Sequence, residues 1–135
     1  MRIVIDGQAR LAAQRLAMQE AVNAERDRRL QADFEFQGVM YQRDTVSLAR
    51  ITGAATLAGF AVAAGSPPGN LRWANPAQDF AWIASDNSIT LMDAQTAFAF
   101  GQAAAAVETA MVFAAKSLRE MDPIPADFAD DGYWP

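Results

Sequence analysis

The sequence predicts an α+β fold that is mostly helical. Three helices are expected at about residues 8–31, 45–64 and 93–121, with two short β-hairpins at about 34–41 and 80–91. Three observations carry this. Phe100, Ala104, Val107, Met111, Ala114, Leu118 and Met121 fall at alternating steps of four and three, the spacing of a helix that buries one continuous seam. Phe34 and Phe36 alternate with Glu35, the period of a strand. Gly65-Ser66-Pro67-Pro68-Gly69-Asn70 punctuates the chain as a loop between two helical stretches.

The first helix is read from about Gln8 to Gln31, after an apolar run Ile3–Ile5 that suits a strand or an arm and that Asp6-Gly7 breaks. That run is too short for a signal peptide. Leu11, Met18 and Val22 share one side of the helix, while Ala9, Ala12, Leu16 and Leu30 lie roughly 130° away. Two stripes suit two contacts, one inside the domain and one to a neighbour; a single wide stripe on a partly buried helix is the plainer reading. Arg26, Arg28 and Arg29, interleaved with Glu25 and Asp27, read as a solvated helix end with cations near the C-terminus, or more sharply as a docking patch for an acidic segment.

Gln37-Gly38 is a feasible two-residue turn between the strands of the first hairpin. Asp44 or Thr45 then caps a helix in which Arg50 is the one charge. Arg50, Thr52, Gly53, Thr56 and Gly59 dilute its apolar run, so a buried central helix is favoured over a membrane span. Gly53 and Gly59 would admit another helix closely. Leu71–Trp73, Phe80–Ala84 and Ile89–Leu91 read as strands, with Ser85–Ser88 as a turn. Trp73, Phe80 and Trp82 suit the apolar face of a small sheet laid on helices better than a ligand platform. Asp93 caps the last helix, which Pro123 and Pro125 bar from continuing.

The expected organisation is one compact domain over residues 1–121 and an extended acidic, aromatic tail over 122–135. The tail carries Asp122, Asp127, Asp130 and Asp131 with Phe128, Tyr133 and Trp134. Disordered segments are poor in aromatics, which favours a tail that docks along another surface.

Composition narrows the function classes. The chain of 135 residues carries a net charge of −5 and neither cysteine nor histidine. Disulfides, thiolate and imidazole metal sites and Ser–His or Cys–His catalysis are therefore excluded, and an acidic chain does not suit general nucleic-acid binding. There is no phosphate-binding glycine loop. Asp127, Asp130 and Asp131 lack the spacing of a Ca²⁺ loop, and the Asp86-Asn87 pair suits a structural turn. No catalytic, cofactor-binding or metal-binding residue is expected. The expected partner-binding residues are Leu11, Met18 and Val22 on the first helix and Phe128, Tyr133 and Trp134 in the tail.

Several short pieces recur in a familiar order: Glu25-Arg26-Asp27-Arg28-Arg29, Phe34 to Tyr41, Asp44 with Ser47-Leu48-Ala49-Arg50-Ile51, Trp82, Asp86 to Leu91, and the long helix after them. Over about residues 21–119 the chain resembles a small domain of unassigned function found in tail and tail-fibre proteins of tailed phages. The stretch Gly69–Asp79 and the tail after Pro123 depart from that pattern. The resemblance implies a virion protein without enzymatic activity, needing no cofactor. It would be a structural tail, baseplate or fibre-attachment component packed against other phage tail or fibre proteins, in several copies per assembly, with no nucleic acid and no membrane span. The alternative is a tail-fibre assembly chaperone that binds its client and is absent from the particle.

Overall fold

A computed structural model describes the backbone of residues 2–135 and the side chains from residue 6 onward. The fold is α+β and mostly helical, as expected: α1 (Arg2–Leu30), β1 (Phe34–Phe36), β2 (Val39–Tyr41), α2 (Thr45–Ala63), β3 (Ala81–Ile83), β4 (Ile89–Leu91), α3 (Ala94–Glu120) and a 3-10 turn at Asp131–Tyr133. The chain divides into two compact units, Met1–Leu30 with Thr109–Pro135, and Gln31–Glu108. The expected boundary at residue 121 is therefore corrected: the segment after α3 belongs to the first unit, and α3 contributes to both.

In the unit Gln31–Glu108, the two hairpins and α2 pack on the first half of α3. Phe34, Tyr41, Ile51, Ala58, Met92, Ala97, Phe100 and Ala104 form its core. Phe100 is the hub: its ring lies 5.6 Å from Phe34, 4.7 Å from Tyr41 and 5.6 Å from Trp82, and the last two meet it edge-on, the arrangement the ring quadrupole favours. Gln37 and Gly38 both take positive φ, so the predicted two-residue turn has the twist that matches a hairpin. Asp44 caps α2 by accepting from the Ser47 N–H, and Asp93 caps α3 by accepting from the Thr96 N–H at 2.8 Å. Arg43 is buried and donates to the Ala104 carbonyl at 2.9 Å and to Glu108 at 3.1 Å, tying the end of the first hairpin to α3.

At the α2–α3 contact, Gly59 admits α3 closely as expected and Gly53 does not, while the tightest approach is at Gly101, which was not expected. A Cβ on Gly101 would drive into the methyl of Ala55, whereas one on Gly53 would meet nothing and one on Gly59 would graze the Phe98 ring at 3.3 Å. Leu71–Trp73 is not a strand. It makes a single backbone bond, from the Phe80 N–H to the Leu71 carbonyl, and the Trp73 indole donates to the Met92 carbonyl.

In the other unit, α1 packs along the second half of α3. The helix passes through Ile3–Ile5 and Asp6-Gly7 without a break. A glycine costs a helix only about 1 kcal/mol, little against a helix of this length. Val22, Ala115 and Leu118 form the core with Ile124 and Trp134. Arg15 and Gln19 donate to the carbonyls of Arg119 and Met121, which the end of α3 leaves without helical partners.

Candidate interaction surfaces

The residues expected to bind a partner separate into two sets. Val22 is fully buried, and Trp134 is 7% exposed; both belong to the core of their own unit. Phe128, Tyr133 and Met18 pack against that core. The segment after Asp122 is not extended. It folds through successive turns, bonded from Phe128 to Pro125, Asp130 to Asp127 and Trp134 to Asp131. The Trp134 indole donates to the Phe128 carbonyl at 2.8 Å, and the Arg29 guanidinium stacks over the Trp134 ring. The surface this segment was expected to find on another chain is supplied by α1 and α3.

The arginine cluster takes part in this docking. Arg29 donates to the Ala129 carbonyl and to Asp131, both at 2.8 Å, while Arg28 pairs with Glu25. Hydrogen bonding from Arg28 is the largest of the influences that hold the Glu25 carboxyl below its ordinary range. The docking-patch reading of the cluster thus holds within the chain, through Arg29. Asp127 accepts from the Tyr133 hydroxyl, an interaction that holds the phenol above its usual pKa.

Leu11 remains exposed. With Gln14, Arg15, Met18, Asp122, Pro123 and Ile124 it lines a hollow of about 340 Å³. Leu16, on the second stripe of α1, is exposed as well.

The larger apolar surface lies in the unit Gln31–Glu108, where the expectation placed no partner-binding residue. Phe60 and Leu57 on α2 are 69% and 63% exposed. The outer face of the second hairpin is apolar throughout. Ala81 opposes Leu91 and Ile83 opposes Ile89, and all four side chains are exposed, while Trp82 opposite Thr90 turns inward. A half-buried sheet normally alternates apolar with polar residues. Ile83, Ile89 and Leu91 on the face opposite Trp82 break that rule, a signal already present in the sequence.

Beside this hairpin is a cleft of about 440 Å³, lined by Ala81 to Ser85, Gln42, Ser47, Arg50 and Asn87. Its base is built by the strand, one side by the first turns of α2, and its end by the Ser85 N–H donating to the Met40 carbonyl at 2.9 Å.

The chain belongs to the family described as domain of unknown function (DUF4376), whose model matches residues 12–131. No curated protein and no solved structure matches it. The matched span takes in most of α1 and the segment after α3, so both compact units are part of the family domain.

Proposed function

We propose that this chain is a structural component of a phage virion, a small tail, baseplate or fibre-attachment protein that acts by packing against other tail or fibre proteins in several copies, without enzymatic chemistry. It would be assembled in the bacterial host cytoplasm and reside in the particle. The observation that carries the reading is the set of large apolar side chains left exposed on α2 (Leu57, Phe60) and on the second hairpin (Ile83, Ile89). Large apolar patches at the surface mark sites that another molecule covers. The order of short motifs from Glu25 to the last helix supports the phage setting.

Both α2 and α3 are long and apolar enough to cross a membrane. Protein is the better cover, because Ile51, Ala55 and Ala58 of α2 already pack into a core shared with two hairpins, and a buried arginine binds a carbonyl and a carboxylate on α3. A bilayer would strip the water from those hairpins and from the half-exposed Glu108.

The test is sedimentation of the purified full chain together with pull-down of isolated phage tails. The proposal predicts self-association or tail binding. A monodisperse monomer that leaves tails unbound contradicts it. An assembly chaperone would present the same uncovered apolar surface, and presence in or absence from the finished particle separates the two.

A further inference from the structure

The cleft beside β3 has the features of a place for one more strand. In the second hairpin the Ala84 N–H donates to Ser88 and the Met92 N–H to Phe80. With Trp82 opposite Thr90 between them, the pairs that exchange hydrogen bonds are those of the even-numbered β3 residues. An antiparallel ladder alternates. The N–H and C=O of Ala81 and Ile83 therefore point away from β4, and the sheet ends there, since β3 pairs with β4 alone. Both residues line the cleft. An open row of main-chain donors and acceptors is a template for another extended chain.

Two side-chain observations fall in the same place. Arg50, on the α2 wall, is exposed and makes no hydrogen bond or ion pair among the described residues; its charge acts on the Asp44 carboxylate, and no carboxylate lines the cleft. The Ser85 Oγ, at the cleft's end, is buried without a hydrogen-bond partner, an arrangement that buried hydroxyls rarely keep. A cleft lined by one guanidinium and no acid is complementary to a carboxylate.

We infer that the open edge of β3 is a strand-addition site for an extended segment of a partner protein, one that bonds the main chain of Ala81 and Ile83 and places an aspartate or glutamate on Arg50. The segment's outward side chains would continue the apolar face of Ile83 and Ile89. Main-chain bonds give such a site its affinity, and the flanking side-chain contacts give it its choice of sequence. The inference specifies how the packing role proposed above would engage a partner.

The probe is a displayed library of random peptides of roughly twelve residues, selected on the purified full chain. Selected peptides should share an acidic residue within an apolar, β-prone stretch. Arg50→Glu should weaken their binding by about tenfold or more, the effect of replacing a charge-assisted bond with repulsion. Ile83→Pro removes one outward N–H and no ladder bond, and should weaken it comparably. Should the proline variant not fold, hydrogen exchange on the unaltered chain answers the same question: the Ala81 and Ile83 amides exchange freely alone and become protected when peptide is added. Binding that ignores both substitutions, peptides without an acidic residue, or protection of these amides that rises with protein concentration without peptide would each overturn the assignment, the last in favour of self-pairing. If the peptides bind elsewhere while the chain is found in particles, the site fails and the packing role stands. If they bind the cleft and the chain is absent from particles, the site stands and the structural role fails.

Discussion

Replacing Gly101 by alanine tests the α2–α3 contact most sharply, because helix propensity and packing then push in opposite directions. On an open helix the change is stabilising by about 0.5–1 kcal/mol, since alanine loses less backbone entropy than glycine. At Gly101 the new methyl would overlap the Ala55 methyl, and Ala55 has no rotamer in which to retreat: its Cα lies 3.7 Å from the added atom. Relief requires the two helices to move apart around buried Ala58 and Phe100. Overpacking of this kind costs about 1–3 kcal/mol. The net expectation is a loss of roughly 0.5–2 kcal/mol, or a fall in Tm of roughly 2–8 °C for a domain of this size. Gly53→Ala is the control. It gains the same propensity with open space around the methyl, and should raise Tm by a few degrees. Thermal unfolding followed by circular dichroism reads both. If Gly101→Ala stabilises the chain as Gly53→Ala does, the close approach of α2 and α3 at this point is wrong.

Other outcomes are expected from the same structure. Trp134→Ala should cost about 3–5 kcal/mol, as for other buried tryptophans, and should make the last residues protease-sensitive; an unchanged melting curve would mean that the segment does not dock on α1. Glu108→Ala deprives buried Arg43 of this carboxylate while the Ala104 carbonyl remains, an expected loss of about 1–3 kcal/mol in a denaturant titration, and retention of full stability would contradict the pairing. The Asp93 carboxyl is held below its ordinary value by hydrogen bonds from Thr96, chiefly its side chain, and from the Gly69 amide. A depressed folded pKa contributes stability that is present above the unfolded value and is lost as pH falls through the folded one. Asp93→Ala should therefore cost about 1 kcal/mol at neutral pH, and the gap from the unaltered chain should close as pH drops below the ordinary carboxylate range near 3.8. A gap independent of pH would place the cap elsewhere.

The parts of the fold that follow from local chemistry were legible in the sequence. The α3 seam was readable because its period persists over many turns. Phe100, Ala104 and Leu118 are buried as that period requires, although Met121 at its end is not. Asp44, Asp93 and Gln37-Gly38 act where short-range hydrogen bonds and positive φ put them. What covers an apolar face is a different matter. Of the stripe Leu11, Met18 and Val22, Val22 is buried and Met18 packs beside it while Leu11 stays exposed, and the aromatics of the last residues told that they dock. That Trp134 docks in the same core as Val22 is a long-range choice that neither stripe encodes alone. Gly101 was missed for the same reason, since a glycine within an alanine-rich helix gives no sign of its neighbour. The open edge of β3 depends on which residues of the hairpin exchange hydrogen bonds, and that parity becomes known only with the register. The outer isoleucines were readable, as an apolar residue at every outward position of a two-stranded ribbon, and they mark the surface on which the functional reading rests.

The central claim is that this chain is a lasting part of a particle, held there by its apolar surfaces. If the proposed phage-tail role is right, quantitative mass spectrometry of purified virions tests this most directly. The account predicts peptides from both compact units at a fixed, multi-copy ratio to known tail proteins, reduced when Phe60→Asp or Ile89→Asp is introduced. A chain abundant in infected cells and missing from purified particles would contradict it.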